Sequence, residues 1–86
     1  MEHITYKKDG DRLTVSIKGH VDSANAPAVE KEINEAVSLE KPAHLRIDAA
    51  GLTYISSAGL RVILRLRKEF RDLSIVNVSP EVYEIF

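Results

Sequence analysis

DAAGLTYISSAGLRVIL, residues 48–64, is the stretch that says most about how this chain folds and acts. We interpret it as the end of a buried strand, a loop with apolar anchors over residues 49–55, and a helix that begins at Ser56 or Ser57. The first N–H groups of a helix lack intrahelical partners, and the helix dipole adds partial positive charge there. A serine hydroxyl at this place can cap the helix, and a phosphate on it would meet free N–H donors. Gly59 leaves room for a close approach of backbone or partner.

The residues on either side of this stretch extend the alternation of strand and helix. His44 to Asp48 is a compact strand candidate in which Leu45 and Ile47 point the same way. The second helix is predicted to run to about Phe70, and a final strand follows it. The predicted core face of that helix contains Leu60, Ile63, Leu64 and Phe70, and the final strand contains Leu73, Ile75 and Val76.

The first two strands are predicted to form a hairpin. Ile4 to Lys8 is the first strand, and Asp9-Gly10-Asp11 is a strong turn signal. The second strand alternates apolar and polar residues with a period of two, as half-buried strands do. We expect Gly19 to end this strand. Its apolar residues are Leu13, Val15 and Ile17.

A first helix is predicted after this hairpin. Ser23 or Asn25 is its candidate N-cap, and Pro27 falls in the first turn, where a missing N–H is tolerated. Lys41-Pro42 ends the helix or follows its end. The apolar stripe consists of Val29, Ile33, Ala36 and Val37, and the opposite face, interpreted as a solvated surface, includes Glu30, Lys31 and Glu35.

The end of the sequence predicts a third helix. Ser79-Pro80-Glu81 is a good helix start, because serine can cap and proline suits the first helical position. This helix would stop at Phe86 after less than two turns, so it is short or truncated. The order strand, strand, helix, strand, helix, strand, helix indicates an α/β fold with parallel neighbours and one antiparallel pair. We expect one domain over residues 1–86, with a mixed four-stranded sheet and its helices packed on one side.

The composition of the chain argues against several classes of protein. The chain has 86 residues, no cysteine and a formal net charge of −1, so a disulfide scaffold is excluded and nucleic-acid binding is not expected. No apolar run is long enough for a membrane span, and the N-terminus lacks the apolar stretch of a signal peptide. We expect a soluble cytoplasmic domain without a cofactor. The three histidines, His3, His20 and His44, are isolated and show no metal-ligand spacing.

The sequence favours a binding protein over an enzyme. A serine hydrolase elbow needs glycine two residues before the nucleophile, and for Ser57 that position is Ile55. No glycine-rich loop with a lysine resembles a P-loop, so independent use of ATP is not expected. The basic residues of the second helix, Arg61 among them, are interpreted as a solvated face, although they could also steer an acidic partner.

The segment Ser56-Ser57-Ala58-Gly59-Leu60 resembles the signature of anti-sigma-factor antagonists, a family of STAS domains. In that family aspartate, serine, serine or threonine, and glycine open a helix that continues with leucine. Gly19-His20-Val21-Asp22 is similar to the family's Gly-Glu-Leu-Asp turn. Ile75 to Pro80 is similar to its last strand and Ser-Pro helix start. The resemblance covers nearly the whole chain and implies a STAS-like sandwich.

Position by position, the resemblance makes Ser57 the phosphate acceptor. Ser56 stands where the family has aspartate, and Ala58 stands where it has a second hydroxyl. The implied mechanism is a partner switch, in which the unphosphorylated protein binds an anti-sigma factor, a serine kinase with a GHKL-type ATP fold. The kinase phosphorylates and releases the antagonist, and a PP2C-type phosphatase resets it. The implied partner-binding residues are Asp22, Ser56, Ser57, Ala58, Gly59 and Arg61.

Other interpretations stay open at this point. A STAS accessory or scaffold subunit, in a lipid-transport ABC complex or a stress-sensing assembly, would use Ser57 only to cap the helix or line a docking surface. A fragment of a larger multidomain or transporter protein would explain the early end at Phe86. For Ser56 and Asp22 the ordinary roles are helix cap and turn residue. The oligomeric state is also open, and a homodimer is included among the alternatives.

Overall fold

The computed structural model of the chain describes residues 4–80 and residue 82. Along this part six elements follow one another in the predicted order. They are β1 (Ile4–Asp9), β2 (Arg12–Val21), α1 (Ala26–Glu40), β3 (His44–Ile55), α2 (Ser57–Glu69) and β4 (Leu73–Val76). None of the helices in this part is long and apolar enough to cross a membrane.

β1 and β2 form the predicted hairpin and pair in antiparallel fashion. Asp9 pairs with Arg12, so only two residues form the loop. The first of them, Gly10, has a φ of +60°, a conformation that glycine adopts without steric cost and that two-residue hairpin loops need. Ile4 lies opposite Ile17, and both side chains are buried. The hairpin therefore contributes one apolar face to the core.

β2 continues beyond Gly19, so the predicted end of this strand is wrong. The register with β3 shifts twice, the second time between Gly19 and His20. Gly19 has a φ of +81°, which glycine adopts without steric cost, and the strand passes through this irregularity without ending. Pairing then resumes, and Val21 is buried opposite Ile55.

β3 is longer than predicted, because residues 49–55 belong to the strand and not to a loop. These residues pair with β2, from Gly51 opposite Lys18 to Ile55 opposite Val21. Gly51 permits the close approach, since a Cβ at its position would lie 2.9 Å from Lys18 Cγ. Pairing with a strand that is distant in sequence thus overrides the local turn signal of Ala-Ala-Gly.

α1 begins and ends near the predicted residues. Asn25 is the N-cap residue, although its side chain makes no hydrogen bond to the helix, and Lys41 ends the helix with a φ of 47°. Glu30 was predicted to be solvated, but it is half-buried and accepts hydrogen bonds from Arg65 of α2 at 2.7 and 2.8 Å. The predicted apolar stripe faces the core and comprises Val29 and Ile33, which are buried, and Ala36 and Val37, which are partly buried.

α2 begins after Ser56 and ends before Phe70, as the sequence predicts. Its core face differs from the prediction at one residue. Leu64 is 66% exposed, because it lies on the solvent side of the helix. Leu60 and Phe70 are partly buried against the core. The buried residues of α2 are Gly59, Val62, Ile63 and Leu66.

The sheet has the strand order β1-β2-β3-β4, in which β2, β3 and β4 are parallel. Both helices connect parallel strands and pack against one face of this sheet, where the core lies. This confirms the predicted α/β fold with a mixed four-stranded sheet. The centre of the core is formed by Leu13, Val15, Leu45 and Ile47 of the strands and by Val29, Ile33, Val62 and Leu66 of the helices.

The predicted third helix lies largely outside the described residues. Within them, Pro80 and Val82 are helical, and Ser79 Oγ accepts a hydrogen bond from Val82 N at 3.2 Å. This contact confirms the predicted serine cap. Val82 is fully buried, so the chain returns to the core after β4.

Candidate functional site

Two parallel strands end side by side, and this brings the predicted site residues together. Val21 of β2 pairs with Ile55 of β3, and each is the last residue of its strand. The next residues, Asp22 and Ser56, leave the sheet at the same edge, where Ser56 N donates to Val21 O at 2.9 Å. The carboxyl ends of parallel strands are where ligands bind in open α/β sheets. The Asp22 turn and the start of α2 therefore share one edge of the molecule.

Ser56 is the N-cap of α2. Its backbone is extended, and its Oγ accepts a hydrogen bond from Gly59 N at 3.3 Å. Its carbonyl oxygen accepts the first bond of the helix, from Leu60 N at 2.9 Å. This is the geometry of a serine cap. The hydroxyl of Ser56 therefore has a structural use, which is one of the two roles that the sequence left open for it.

Ser57 is the first residue of α2, and its side chain is exposed. Within the described part of the chain, no hydrogen bond engages its hydroxyl. The first N–H groups of α2 and the positive end of its dipole lie at the same place. Ser57 thus presents an exposed hydroxyl at the electropositive end of the helix. Its neighbour Ala58 is half-buried and packs against the core.

Gly59 is buried and allows α2 to start directly over the ends of β2 and β3. A Cβ at this position would lie 2.6 Å from Ile55 Cγ1 and 2.9 Å from Val21 Cγ1. These distances are shorter than van der Waals contact between carbon atoms, and the densely packed core leaves little room for the neighbours to move. The space that the glycine leaves is therefore filled by the protein's own core, and its effect on a partner surface is indirect.

The Asp22 carboxylate closes the turn between β2 and α1. Its Oδ1 accepts from Ala24 N at 2.9 Å and from Asn25 N at 3.1 Å. In return, Asn25 Oδ1 accepts from Asp22 N at 2.8 Å. The other carboxylate oxygen of Asp22, Oδ2, lies 3.3 Å from His20 Nε2, and the Asp22 side chain is 36% exposed. Asp22 therefore fixes the turn that lies beside Ser56 and still presents part of its carboxylate to solvent.

Arg61 lies one turn after Ser57 on the exposed side of α2. Among residues 4–80 and 82 it has no ion-pair partner. Positions 57, 61, 64 and 68 are neighbours at helical spacing, and all four side chains are exposed. We name this set the exposed ridge of α2, and it consists of Ser57, Arg61, Leu64 and Lys68.

Tyr54 is a surface residue that sequence reasoning missed, since it was only part of the predicted loop over residues 49–55. It is 51% exposed near the end of β3, where it pairs with His20. Tyrosine is enriched at protein interfaces, so this side chain adds to the surface around the start of α2. The register with β2 shifts directly before Tyr54, from Gly19 opposite Leu52 to His20 opposite Tyr54, so the simple alternation of a strand does not predict which of these side chains is exposed.

Asp48, which opens the decisive stretch, is a structural residue of β3. Its Oδ1 accepts from Ala50 N at 3.0 Å and from Asn77 Nδ2 at 3.1 Å. These hydrogen bonds stabilise the ionised form, and they lower the pKa of Asp48. The carboxylate thereby joins the middle of β3 to the residue that follows β4.

A hydrogen-bonded chain of serine, histidine and aspartate is present, but it does not include Ser57. His44 Nδ1 lies 2.7 Å from Asp72 Oδ1, and its Nε2 lies 3.1 Å from Ser74 Oγ. These residues join the first residue of β3 to β4, and Ser57 follows the other end of β3. In the part of the chain that the structure describes, no group of three or more side chains is placed to hold a metal ion.

Known proteins are similar to this chain in sequence and in fold. Residues 3–86 match the family described as STAS domain. BtrV of Bordetella bronchiseptica, named as an anti-sigma factor antagonist, is 36% identical over 88 residues, which cover 96% of this chain and 74% of BtrV.

Among solved structures, an anti-sigma factor antagonist from Mycobacterium paratuberculosis superposes with a TM-score of 0.84 at 22% identity, covering 95% of this chain and 72% of that one. The Bacillus protein SpoIIAA has been solved unphosphorylated (TM-score 0.74, 15% identity, 96% and 80% coverage) and phosphorylated (0.73, 16%, 96% and 79%). The family match and the similarity to BtrV together show that this chain belongs to the STAS domain family of anti-sigma factor antagonists.

Proposed function

We propose that this chain is a partner-switching regulator that binds an anti-sigma factor when Ser57 is unmodified and releases it when Ser57 is phosphorylated. The observation that carries the proposal is the difference between two adjacent serines. The Ser56 hydroxyl caps α2, whereas the Ser57 hydroxyl is exposed and makes no hydrogen bond within residues 4–80 and 82. The name of BtrV supports the class of partner, and the phosphorylated form of SpoIIAA supports the chemistry.

In this proposal the anti-sigma factor is also the kinase. It transfers the γ-phosphoryl group of ATP to Ser57 Oγ, which loses its proton, and ADP is the second product. A PP2C-type phosphatase hydrolyses the phosphoester and regenerates the serine. The chain itself is the substrate in both steps and performs no catalysis. Because ATP and sigma factors meet in the cytoplasm, the switch operates there.

A phosphate on Ser57 would oppose binding through electrostatics and desolvation. It adds about −1.5 to −2 charge and three acceptor oxygens. Inside a closed interface that charge must lose its hydration, which costs free energy unless the partner supplies compensating donors. In the free protein, by contrast, the N–H groups at the start of α2 stabilise the phosphate. Each 1.4 kcal/mol of difference between these states changes affinity about tenfold.

The other site residues have distinct roles in this proposal. Asp22 keeps the adjoining turn in place and presents a carboxylate to the partner. Arg61 offers a cation on the exposed ridge of α2 that has no ion-pair partner in the described part of the chain. Ser56, Ala58 and Gly59 position the helix start, through the cap and through the close contact with the core.

Phosphorylation with the cognate kinase and ATP, followed by peptide mass spectrometry, tests the acceptor. We expect one phosphate, on Ser57, in the wild type and none in Ser57→Ala. In binding measurements with the same kinase, Ser57→Ala should keep wild-type affinity and Ser57→Asp should weaken it at least about tenfold. Ser38→Asp is the matched control, because Ser38 is an exposed helical serine on α1 and its replacement adds the same charge.

A phosphate found on Ser56 would contradict the assignment of the acceptor. Equal binding of Ser57→Asp and wild type would contradict the switch and would favour a scaffold role, in which Ser57 is only part of a docking surface.

A further inference from the structure

The face of the sheet that is turned away from the helices is polar. In β2 and β3, buried residues that face the helices alternate with half-buried residues that face the other way. Thr14 and Arg46 are among the half-buried residues. Lys7 of β1 shares their face, because its neighbours Tyr6 and Lys8 line a cavity against α1. We name this surface the open face of the sheet, since neither α1 nor α2 covers it.

Three basic side chains of the open face surround a threonine. The strand register places Lys7 of β1 and Arg46 of β3 directly opposite Thr14, on its two sides. Arg12 precedes Thr14 by two residues on β2 and therefore points to the same face. Neighbouring strands are about 4.8 Å apart, so these long side chains can all approach the threonine hydroxyl. We name Lys7, Arg12, Thr14 and Arg46 the open-face cluster.

The side chains of the open-face cluster have no hydrogen-bond or ion-pair partner in the part of the chain that the structure describes. Arg46 is the most unusual of them, because its Nε is buried and still has no partner. Burial removes water from this N–H group, and a buried donor without an acceptor is unfavourable. A bound ion is one of the explanations for an unsatisfied buried group of this kind.

The cluster has an excess of positive charge. Two carboxylates lie next to its three cations. Asp48 follows Arg46 by two residues, and its Oδ1 already accepts two hydrogen bonds. Asp9 lies opposite Arg12 across the hairpin but forms no ion pair within residues 4–80 and 82. Cations this close repel one another, and an anion placed between them would remove the repulsion. The chain as a whole has a net charge of −1, so this local excess is not a general property of its surface.

The position of the cluster in the sheet leaves it accessible. Lys7 is exposed, and the other three residues are half-buried. Val82, the last described residue, is buried in the core on the helix side, so the sheet separates it from the open face. At the other end of the chain, Ile4 begins β1 at the end of the strand that is remote from Arg12.

We infer that the open-face cluster binds the phosphate group of a small ligand, as the free ion or as a phosphomonoester. A phosphate dianion offers enough acceptor oxygens for two guanidinium groups and an ammonium group at once, and the Thr14 hydroxyl adds a neutral donor. A carboxylate has one charge and two oxygens, so it would engage fewer of these donors. The inference does not depend on the Ser57 switch, because Ser57 begins α2 and the cluster lies on β1, β2 and β3.

A titration of ¹⁵N-labelled protein with sodium phosphate at pH 7 tests this inference. The ionic strength is held constant with NaCl, because salt screens exposed charges. We expect saturable amide shifts around Lys7, Thr14 and Arg46. Sodium acetate is the matched probe and should bind at least about fivefold more weakly. Glycerol 3-phosphate separates the two sources: tighter binding than phosphate identifies a monoester site, and weaker binding identifies a site for the free ion.

Three variants locate the contact. Arg46→Gln removes the guanidinium with the buried Nε and should weaken phosphate binding at least about tenfold. Arg67→Gln removes the same charge from an exposed residue of α2, on the other side of the sheet, and should leave the affinity within about twofold. Lys7→Gln changes an exposed side chain, so it should keep the wild-type unfolding transition and still weaken binding at least about threefold.

Four results would each overturn the inference. They are the absence of saturable shifts, acetate binding as tight as that of phosphate, shifts that map to the start of α2 instead of the open face, and equal effects of Arg46→Gln and Arg67→Gln. An unchanged affinity in Lys7→Gln would also overturn it, whatever Arg46→Gln does to stability.

Discussion

The two helices both begin where a parallel strand ends, yet their starts use polar side chains in different ways. α1 follows β2 after a turn, in which Asp22 and Asn25 bind each other's backbone N–H groups. The Asn25 side chain is engaged in that turn and makes no capping bond to the helix. α2 follows β3 with only Ser56 between them, and Ser56 caps the helix directly.

The difference shows which polar side chains at the helix starts are used by the fold and which remain accessible at the surface. At the start of α1, the carboxylate and the amide are both used to close the turn. At the start of α2, one serine suffices for the cap, and the hydroxyl of Ser57 stays at the surface. A modification of Ser57 can therefore change the surface without removing a contact on which the fold depends.

The largest expected effect concerns the third residue of each helix. Gly59 is the third residue of α2, and Ala28 is the third residue of α1. Gly59→Val should lower the free energy of unfolding by about 2–3 kcal/mol, because its side chain would collide with Ile55 and Val21. Ala28 is exposed, so Ala28→Val should cost about 0.5 kcal/mol, mainly through helix propensity. Urea unfolding of both variants measures this difference. Equal losses of stability would show that the close contacts around Gly59 do not limit the size of the side chain there.

The next largest effect concerns the hydrogen bonds that the side chains of Asp22 and Ser56 accept at the two helix starts. Asp22→Ala leaves the N–H groups of Ala24 and Asn25 without their acceptor and should cost about 1–2 kcal/mol. Ser56→Ala removes a single cap bond and should cost about 1 kcal/mol. Asp22→Asn keeps an acceptor oxygen and serves as the control, with a smaller loss than Asp22→Ala. A greater loss for Ser56→Ala than for Asp22→Ala would reverse the comparison.

A smaller, pH-dependent effect belongs to the contact between the two helices. The hydrogen bonds from Arg65 lower the pKa of Glu30, despite the opposing effect of its burial. Since the folded-state pKa lies below the unfolded value of about 4.3, this contact stabilises the fold above that pH and is lost as pH falls through the folded pKa. Glu30→Gln should therefore lower the urea midpoint at pH 7, by less than Ser56→Ala does, and should match the wild type at low pH.

Glu35→Gln is the control for this pH effect. Glu35 forms an ion pair with Lys31, at 4.0 Å, and both side chains are well exposed. Exposed pairs of this kind contribute little to stability. A difference between Glu30→Gln and wild type that persists at low pH would show that the glutamate acts by packing and not by charge.

Local signals in the sequence predict most of the elements and fail where distant strands decide the outcome. The turn at Gly10, the alternation in β2 and the serine cap of α2 all depend on neighbouring residues, and all three are confirmed. The extension of β3 over residues 49–55 depends on pairing with β2. The sequence Ala-Ala-Gly has no strand preference of its own, so its conformation is determined by that partner.

The candidate site, too, has features that local sequence predicts and features that depend on the pairing of distant strands. Its position at the start of α2 follows from the sequence, because a serine pair before an amphipathic helix predicts a capped, accessible start. The pairing of Val21 with Ile55 places Asp22 beside that start, and only the sheet register shows this. The exposure of Leu64 was also mispredicted. This residue follows the buried Ile63 and lies on the exposed ridge of α2, and helical spacing alone does not distinguish the two sides at this position.

The smallest expected effect is that of Ser57→Ala on stability. The Ser57 hydroxyl makes no hydrogen bond within the described residues, and alanine is the better helix former, so the free energy of unfolding should stay within about 0.5 kcal/mol of wild type. Adjacent Ser56→Ala is its matched control, with an expected loss of about 1 kcal/mol for the same chemical change. Urea unfolding of the two variants at pH 7 measures both values. If Ser57→Ala proved as costly as Ser56→Ala, the Ser57 hydroxyl would be part of the cap, and phosphorylating it would weaken the helix start as well as change the surface.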